Sequence, residues 1–191
     1  NPSGKLPFSF PKKLEDNGAV SFGATSYPGI HLDSNPSSSP TQHYKEDILV
    51  GYRWHDTKKI EPQYAFGYGM SYTNFEIDNA STNGKSYTKN GTISVTCKVT
   101  NTGDADGAEV VQVYVGKSKS KVKRAVKELK GFSKVALKKG ETQLVTISIP
   151  VETLAFYDDS ISDWNIEAGD YEVYIGNASN NISKKLKISV N

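Results

Sequence analysis

The chain has 191 residues, enough for one domain, or for one small domain with an extended arm. Lys and Arg number 23 against 21 Asp and Glu, so the formal net charge is +2 and no global field draws the protein to nucleic acid or to a membrane surface. Apolar residues make up 36% of the chain, which is enough to build a core, yet no run approaches membrane-spanning length.

The chain opens Asn1-Pro2-Ser3-Gly4-Lys5-Leu6-Pro7-Phe8-Ser9-Phe10-Pro11, a short apolar run bracketed by prolines. That pattern suits a strand leaving a packed layer. It is read as an internal position, the start of the C-terminal piece of a larger protein, with the true N-terminus and any signal peptide further upstream. Residues 12–47 follow, rich in Ser, Pro, Asn, Gly and Asp, with the low-complexity stretch Asn35-Pro36-Ser37-Ser38-Ser39-Pro40. They show neither a helical stripe nor a long alternation. A connection this long is unusual inside a compact domain. The aromatics Phe22 and Tyr27 indicate an arm spread over another surface, since a free linker has no need of them. Ile48-Leu49-Val50-Gly51-Tyr52-Arg53-Trp54 reads as a short apolar strand, and Phe66-Gly67-Tyr68-Gly69-Met70-Ser71-Tyr72 as a turn-rich segment whose glycines permit close backbone approach.

From residue 72 the β pattern dominates. Strands are expected at 73–77, 92–100, 107–115, 128–137, 142–149, 154–157, 164–167, 169–176 and 181–190, separated by turns such as Asn101-Thr102-Gly103-Asp104 and Lys138-Lys139-Gly140-Glu141. Short strands at this spacing, without amphipathic helices between them, indicate a sandwich. The Cys-Trp-Cys spacing of antibody domains is missing, so a fibronectin type III-like version is the better match. The lone Cys97 alternates with Ile93, Val95 and Val99 and is expected to be a buried free thiol.

Several blocks, in order along nearly the whole chain, resemble glycoside hydrolase family 3. Asn1-Pro2-Ser3-Gly4-Lys5-Leu6-Pro7 resembles the end of that family's α/β domain, and residues 44–56 (YKEDILVGYRWHD) the link into its last domain. Residues 66–75 (FGYGMSYTNF) resemble its FGYGLSYTxF motif, with Met70 where Leu is usual. Val99-Thr100-Asn101-Thr102-Gly103 with residues 107–115 (GAEVVQVYV), Lys127-Glu128-Leu129-Lys130-Gly131-Phe132, and residues 168–176 (AGDYEVYIG) resemble further family blocks. The resemblance implies a mainly β chain in three parts. Residues 1–11 are the remnant of an α/β sandwich domain, 12–70 an extended linker packed on catalytic domains, and 71–191 an immunoglobulin-like, fibronectin type III-like sandwich. It implies a retaining β-glycosidase as the parent, a β-glucosidase or alternatively a β-xylosidase, acting on terminal β-D-glycosyl residues. Such chemistry needs two carboxyl groups about 5 to 5.5 Å apart. The family places the nucleophilic Asp and the acid/base Glu upstream, so no residue here inherits either role and the chain alone is expected to be inactive. No cofactor and no metal are implied. The implied partners are the N-terminal catalytic part, in the same polypeptide or as a separate chain, and a β-linked glycoside in the whole enzyme. A secreted or periplasmic location fits the resemblance.

The remaining candidates weigh against chemistry in this chain. Asp158, Asp159 and Asp163 beside Trp164 read as turn acids, with Asp158 bonding a backbone N–H of its own turn. His31, His43 and His55 lack metal-ligand spacing. The run Lys117, Lys119, Lys121, Lys123, Arg124, Lys127 and Lys130 reads as a solvated loop and strand edge. The Asn-x-Ser/Thr triplets at Asn79, Asn90, Asn177 and Asn181 read as chance matches. The aromatics Phe22, Tyr27, Tyr52, Trp54, Tyr64, Phe66, Tyr68 and Tyr72 are the candidate interdomain contacts, because desolvated rings make interface anchors. The rival to the glycosidase reading is a non-catalytic carbohydrate-binding or adhesion sandwich.

Overall fold

The computed structural model describes residues 1–33, 35 and 37–191. Pro36, within the low-complexity stretch, lies outside the described residues, as does Ser34. The chain is mainly β. Its strands are β1 (Phe75–Thr82), β2 (Ser86–Tyr87), β3 (Thr92–Asn101), β4 (Gly107–Gly116), β5 (Glu128–Leu137), β6 (Thr142–Pro150), β7 (Phe156–Asp158), β8 (Asp163–Asn165), β9 (Gly169–Ala178) and β10 (Asn181–Val190), and the one α-helix among the described residues is α1 (Tyr52–Lys58).

Two sheets form the sandwich, one ordered β1-β3-β6 and the other β2-β10-β9-β4-β5, with β7 and β8 as a separate hairpin. Among the described residues only the short β2–β10 pairing is parallel. Strand β3 shows why the sheets stack. Ile93, Val95, Cys97 and Val99 fall on one face by the two-residue period, and all four are buried. They meet Val111, Val113 and Val115 of β4, Val173 and Ile175 of β9, and Ile147 and Ile149 of β6 in one continuous core. Each fully buried Val or Ile contributes about 1.5–3 kcal/mol relative to exposure.

Strand β4 is buried on both faces. Gln112 and Tyr114 point away from the core, yet they are 3% and 0% exposed. Their cover is the segment before β1. Tyr52 of α1 lies 4.8 Å from Phe66 and 5.7 Å from Tyr114, ring centre to ring centre. Double coverage explains the nearly unbroken Val110-Val111-Gln112-Val113-Tyr114-Val115 run, which a strand with one wet face would interrupt with charges.

The Asn-Thr-Gly turn after β3 is structural. Asn101 is fully buried; its amide donates to the Ala105 and Leu137 carbonyls at 2.8 and 3.2 Å, and its Oδ1 accepts from Thr73 Oγ1 and from the Gly103 N–H. Side-chain bonding on this scale offsets the cost of burying an amide.

Residues 48–54 are not the strand the sequence suggested. The chain turns at Gly51, at φ +59°, and enters α1, where Tyr52 and Asp56 share one face and Trp54 and His55 another. Likewise Val151–Leu154 is a short 3-10 helix leading into β7, and the first strand of the sandwich runs over Phe75–Thr82.

Candidate docking surface

Residues 6–10 and 63–68 run antiparallel, bonded main chain to main chain. Leu6 N donates to Tyr68 O at 2.8 Å, Gly67 N to Leu6 O at 2.8 Å and Phe10 N to Tyr64 O at 2.8 Å. Two glycines make this ribbon possible. A Cβ on Gly69 would stand 2.3 Å from the Gly4 carbonyl oxygen, and one on Gly67 would stand 2.5 Å from Gln112 Nε2 in a backbone already at φ +85°.

The ribbon is fastened to the sandwich by polar side chains. Lys5 Nζ meets Glu109 Oε1 at 2.6 Å with both side chains largely buried, and Glu109 Oε2 accepts from Asn177 Nδ2 at 2.8 Å. Gln112 Nε2 donates to Asn177 O at 2.7 Å and accepts at Oε1 from the Tyr114 hydroxyl. Burial pushes the Tyr114 phenol far up, so it stays a neutral donor. The Asn1 side chain reaches the Tyr72 N–H at 3.0 Å and the Asp106 carbonyl at 2.6 Å.

The outward face of the ribbon is aromatic. Phe8 and Phe10 stand 4.8 Å apart, Phe10 meets Tyr64 edge-on at 6.0 Å, and Tyr64 lies 4.9 Å from Tyr68. Each of the four is between 41% and 49% exposed. With Leu6 and Gly69, the rings of Phe10, Tyr64 and Tyr68 line a shallow apolar depression of about 460 Å³. A continuous exposed strip of this kind is what a monomer's surface usually avoids.

The eight sequence candidates therefore separate. Tyr64 and Tyr68 lie together on the exposed strip. Tyr52 and Phe66 turn inward over Tyr114. Trp54 is buried, donating its indole N–H to Asp16 O at 3.1 Å, with Phe22 edge-on at 5.7 Å. Tyr27 and Tyr72 are singly exposed. Phe8 and Phe10 were missed, although Leu6, Phe8 and Phe10 share the two-residue spacing of one strand face.

The basic run is less solvated than its composition suggested. Lys127 is 8% exposed, 2.6 Å from Asp56, and sits over the rings of Tyr114 and Tyr174. Lys130 Nζ donates to the Thr153 carbonyl at 2.7 Å. Arg124 donates to the Leu154 carbonyl and faces Glu167 at 3.7 Å. Burial alone would raise Glu167, but the Lys121 N–H and Ser120 hydroxyl it accepts pull its carboxyl below the ordinary range. Asp158 accepts the N–H of Ser160 at 3.1 Å within its own turn, the role its sequence position suggested. Among the described residues no group of three His, Cys, Asp or Glu side chains is placed to hold a metal ion.

Residues 109–179 match the fibronectin type III-like domain family. Over 95% of its length the chain is 48% identical to Beta-glucosidase BoGH3A of Bacteroides ovatus, covering 23% of that protein. It is 42% identical to Thermostable beta-glucosidase B of Acetivibrio thermocellus, over all of this chain and 24% of that one. Among solved structures, DesR, a beta-glucosidase from Streptomyces venezuelae in complex with D-glucose, superposes with a TM-score of 0.87 at 34% identity, over 99% of this chain and 23% of that one. The chain thus spans about a quarter of the length of the curated relatives it matches.

Proposed function

We propose that the chain is the non-catalytic C-terminal part of a glycoside hydrolase family 3 β-glycosidase, a reading supported by its match to the fibronectin type III-like domain family and by its likeness to beta-glucosidases. The parent activity in this reading is hydrolysis of terminal β-D-glycosyl residues, most simply β-glucosides. The residues of this chain supply structure: they hold the catalytic part in register, where ångström-scale misplacement is costly to the rate.

The exposed aromatic strip carries the reading. Phe10, Tyr64 and Tyr68 are held by main-chain bonds on the segment that leads into the sandwich, and with Phe8 they present apolar area to solvent. The occupant of that strip, in this reading, is the catalytic part of the same protein. Export to the periplasm or medium belongs to the same proposal and rests on the family likeness.

The test is an assay of the chain on an aryl β-glucoside, alone and with the upstream part of its protein. Turnover is expected only when the upstream part is present. Turnover by the chain alone would overturn the reading.

A further inference from the structure

A second surface, well away in sequence from the aromatic strip, has the make-up of a ligand site. Between the arm and the β7–β8 hairpin lies a cleft of about 590 Å³, within the ~300–1,000 Å³ range of small-molecule sites. Tyr157 and Trp164 pair across the hairpin, their rings 5.9 Å apart and nearly perpendicular, and they are 52% and 67% exposed. The hairpin under them is braced. Asp158 accepts from the Ser160 N–H at 3.1 Å and from Asn165 Nδ2 at 3.1 Å, and hydrogen bonds to Ser160 and Asn165 hold its carboxyl below the ordinary range.

The charges lining the cleft cancel. Arg53, Lys123 and Arg124 are matched in number by Glu128, Asp158 and Asp159. A cleft built for phosphate or for an acidic chain would carry a cationic excess. This one instead offers hydrogen-bond donors and acceptors in balance, beside two exposed rings. Arg53 Nε faces Glu128 at 3.3 Å and Arg124 Nη1 faces Glu167 at 3.7 Å, so the guanidinium groups are held in place by carboxylates of the same chain.

We infer that this cleft binds a neutral oligosaccharide, with Trp164 packing on the apolar C–H face of a pyranose, Tyr157 at 84° to it bounding the edge of the sugar, and the flanking charged side chains bonding its hydroxyls. A polyhydroxylated ring with one apolar face and no net charge is the chemistry these walls complement. The site stands apart from the docking strip, so it can exist whether or not that strip meets a catalytic partner.

The experiment titrates the chain with cellotetraose, laminaritetraose and maltotetraose, following tryptophan fluorescence and heat. The protein has two tryptophans, and Trp54 is buried, so a ligand-dependent change reports on Trp164. Saturable binding of at least one of the three is expected, weakened roughly tenfold in Trp164→Ala and less in Trp164→Phe, which keeps a ring face. Thermal melts check that both variants fold. Absence of binding by all three would overturn the inference, as would binding indifferent to Trp164→Ala. Preferential binding of an oligogalacturonate would equally refute a neutral ligand.

Discussion

Lys127 and Asp56 stand 71 residues apart in the chain and meet at 2.6 Å, with both side chains mostly withdrawn from water. This pair locks α1 to the start of β5. It does not stand alone: Tyr52 Oη accepts from the Leu129 N–H at 2.8 Å, Thr57 Oγ1 accepts from the Val126 N–H at 3.1 Å, and Arg53 faces Glu128 at 3.3 Å. The arm is therefore part of the folded unit.

Replacing Asp56 by Ala is expected to destabilise the chain by about 3 kcal/mol, because Lys127 is left buried without its counter-charge. Urea unfolding with an unchanged slope would report it. Removing both partners, as in Asp56→Leu with Lys127→Met, should cost far less, since an isolated buried charge then no longer exists.

Glu167 gives a pH dependence whose sign follows from its environment. Its folded-state carboxyl lies below the ordinary 4.5, so the stability it contributes is complete above that value and is lost as pH falls through the folded-state value. The loss should concentrate in residues 117–125, whose Ser120 hydroxyl and Lys121 N–H it accepts. Thermal melts on an acid series should slope downward for the native chain and more shallowly for Glu167→Gln. Equal slopes would remove Glu167 from the account.

Gly69→Ala should loosen the N-terminal ribbon. Its new methyl carbon would stand 2.3 Å from the Gly4 carbonyl oxygen, backbone that has to shift. A cost of about 1–3 kcal/mol is expected. Faster proteolysis within residues 1–10, with the sandwich core still protected, would locate the damage; an unaltered digestion pattern would contradict the ribbon geometry.

The docking reading predicts a separation of binding from folding. Phe10→Ser with Tyr64→Ser removes two rings of the strip while the main-chain bonds of the ribbon remain. The melting temperature should change little, and affinity for the separately produced upstream part should fall by about 2 kcal/mol or more. Calorimetric titration measures it, and undiminished affinity would place the interface elsewhere.

The parts of this structure legible in the sequence are those set by local periodicity. Ile93, Val95, Cys97 and Val99 announced the inner face of β3, and burial raises the Cys97 thiol out of its reactive range. The parts that were not legible depend on long-range cover. Nothing near Gln112 and Tyr114 in sequence says that residues 52 and 66 will fold back over them. The same cover explains the misread lysine: Lys127 sits in a basic run but is buried because Asp56 and two tyrosine rings come to it from distant segments. At α1 the short apolar run of residues 48–54 suggested a strand, whereas the shared faces of Tyr52 with Asp56, and of Trp54 with Lys58, follow a four-residue spacing. For the docking strip, sequence named Tyr64 and Tyr68 but spread its attention over rings the fold spends internally.

The clasp of α1 on β5 also bears on solubility. Strand β5 ends its sheet, and an uncovered outer strand is a template for pairing with a neighbour's backbone. The hydroxyls of Tyr52 and Thr57 occupy amides at and just before the start of that strand, Leu129 and Val126. A shortened protein beginning after α1 would present those amides bare, next to the exposed Phe132, and so would tend to stick to copies of itself. The arm acts as a chaperoning sleeve for the sandwich it precedes.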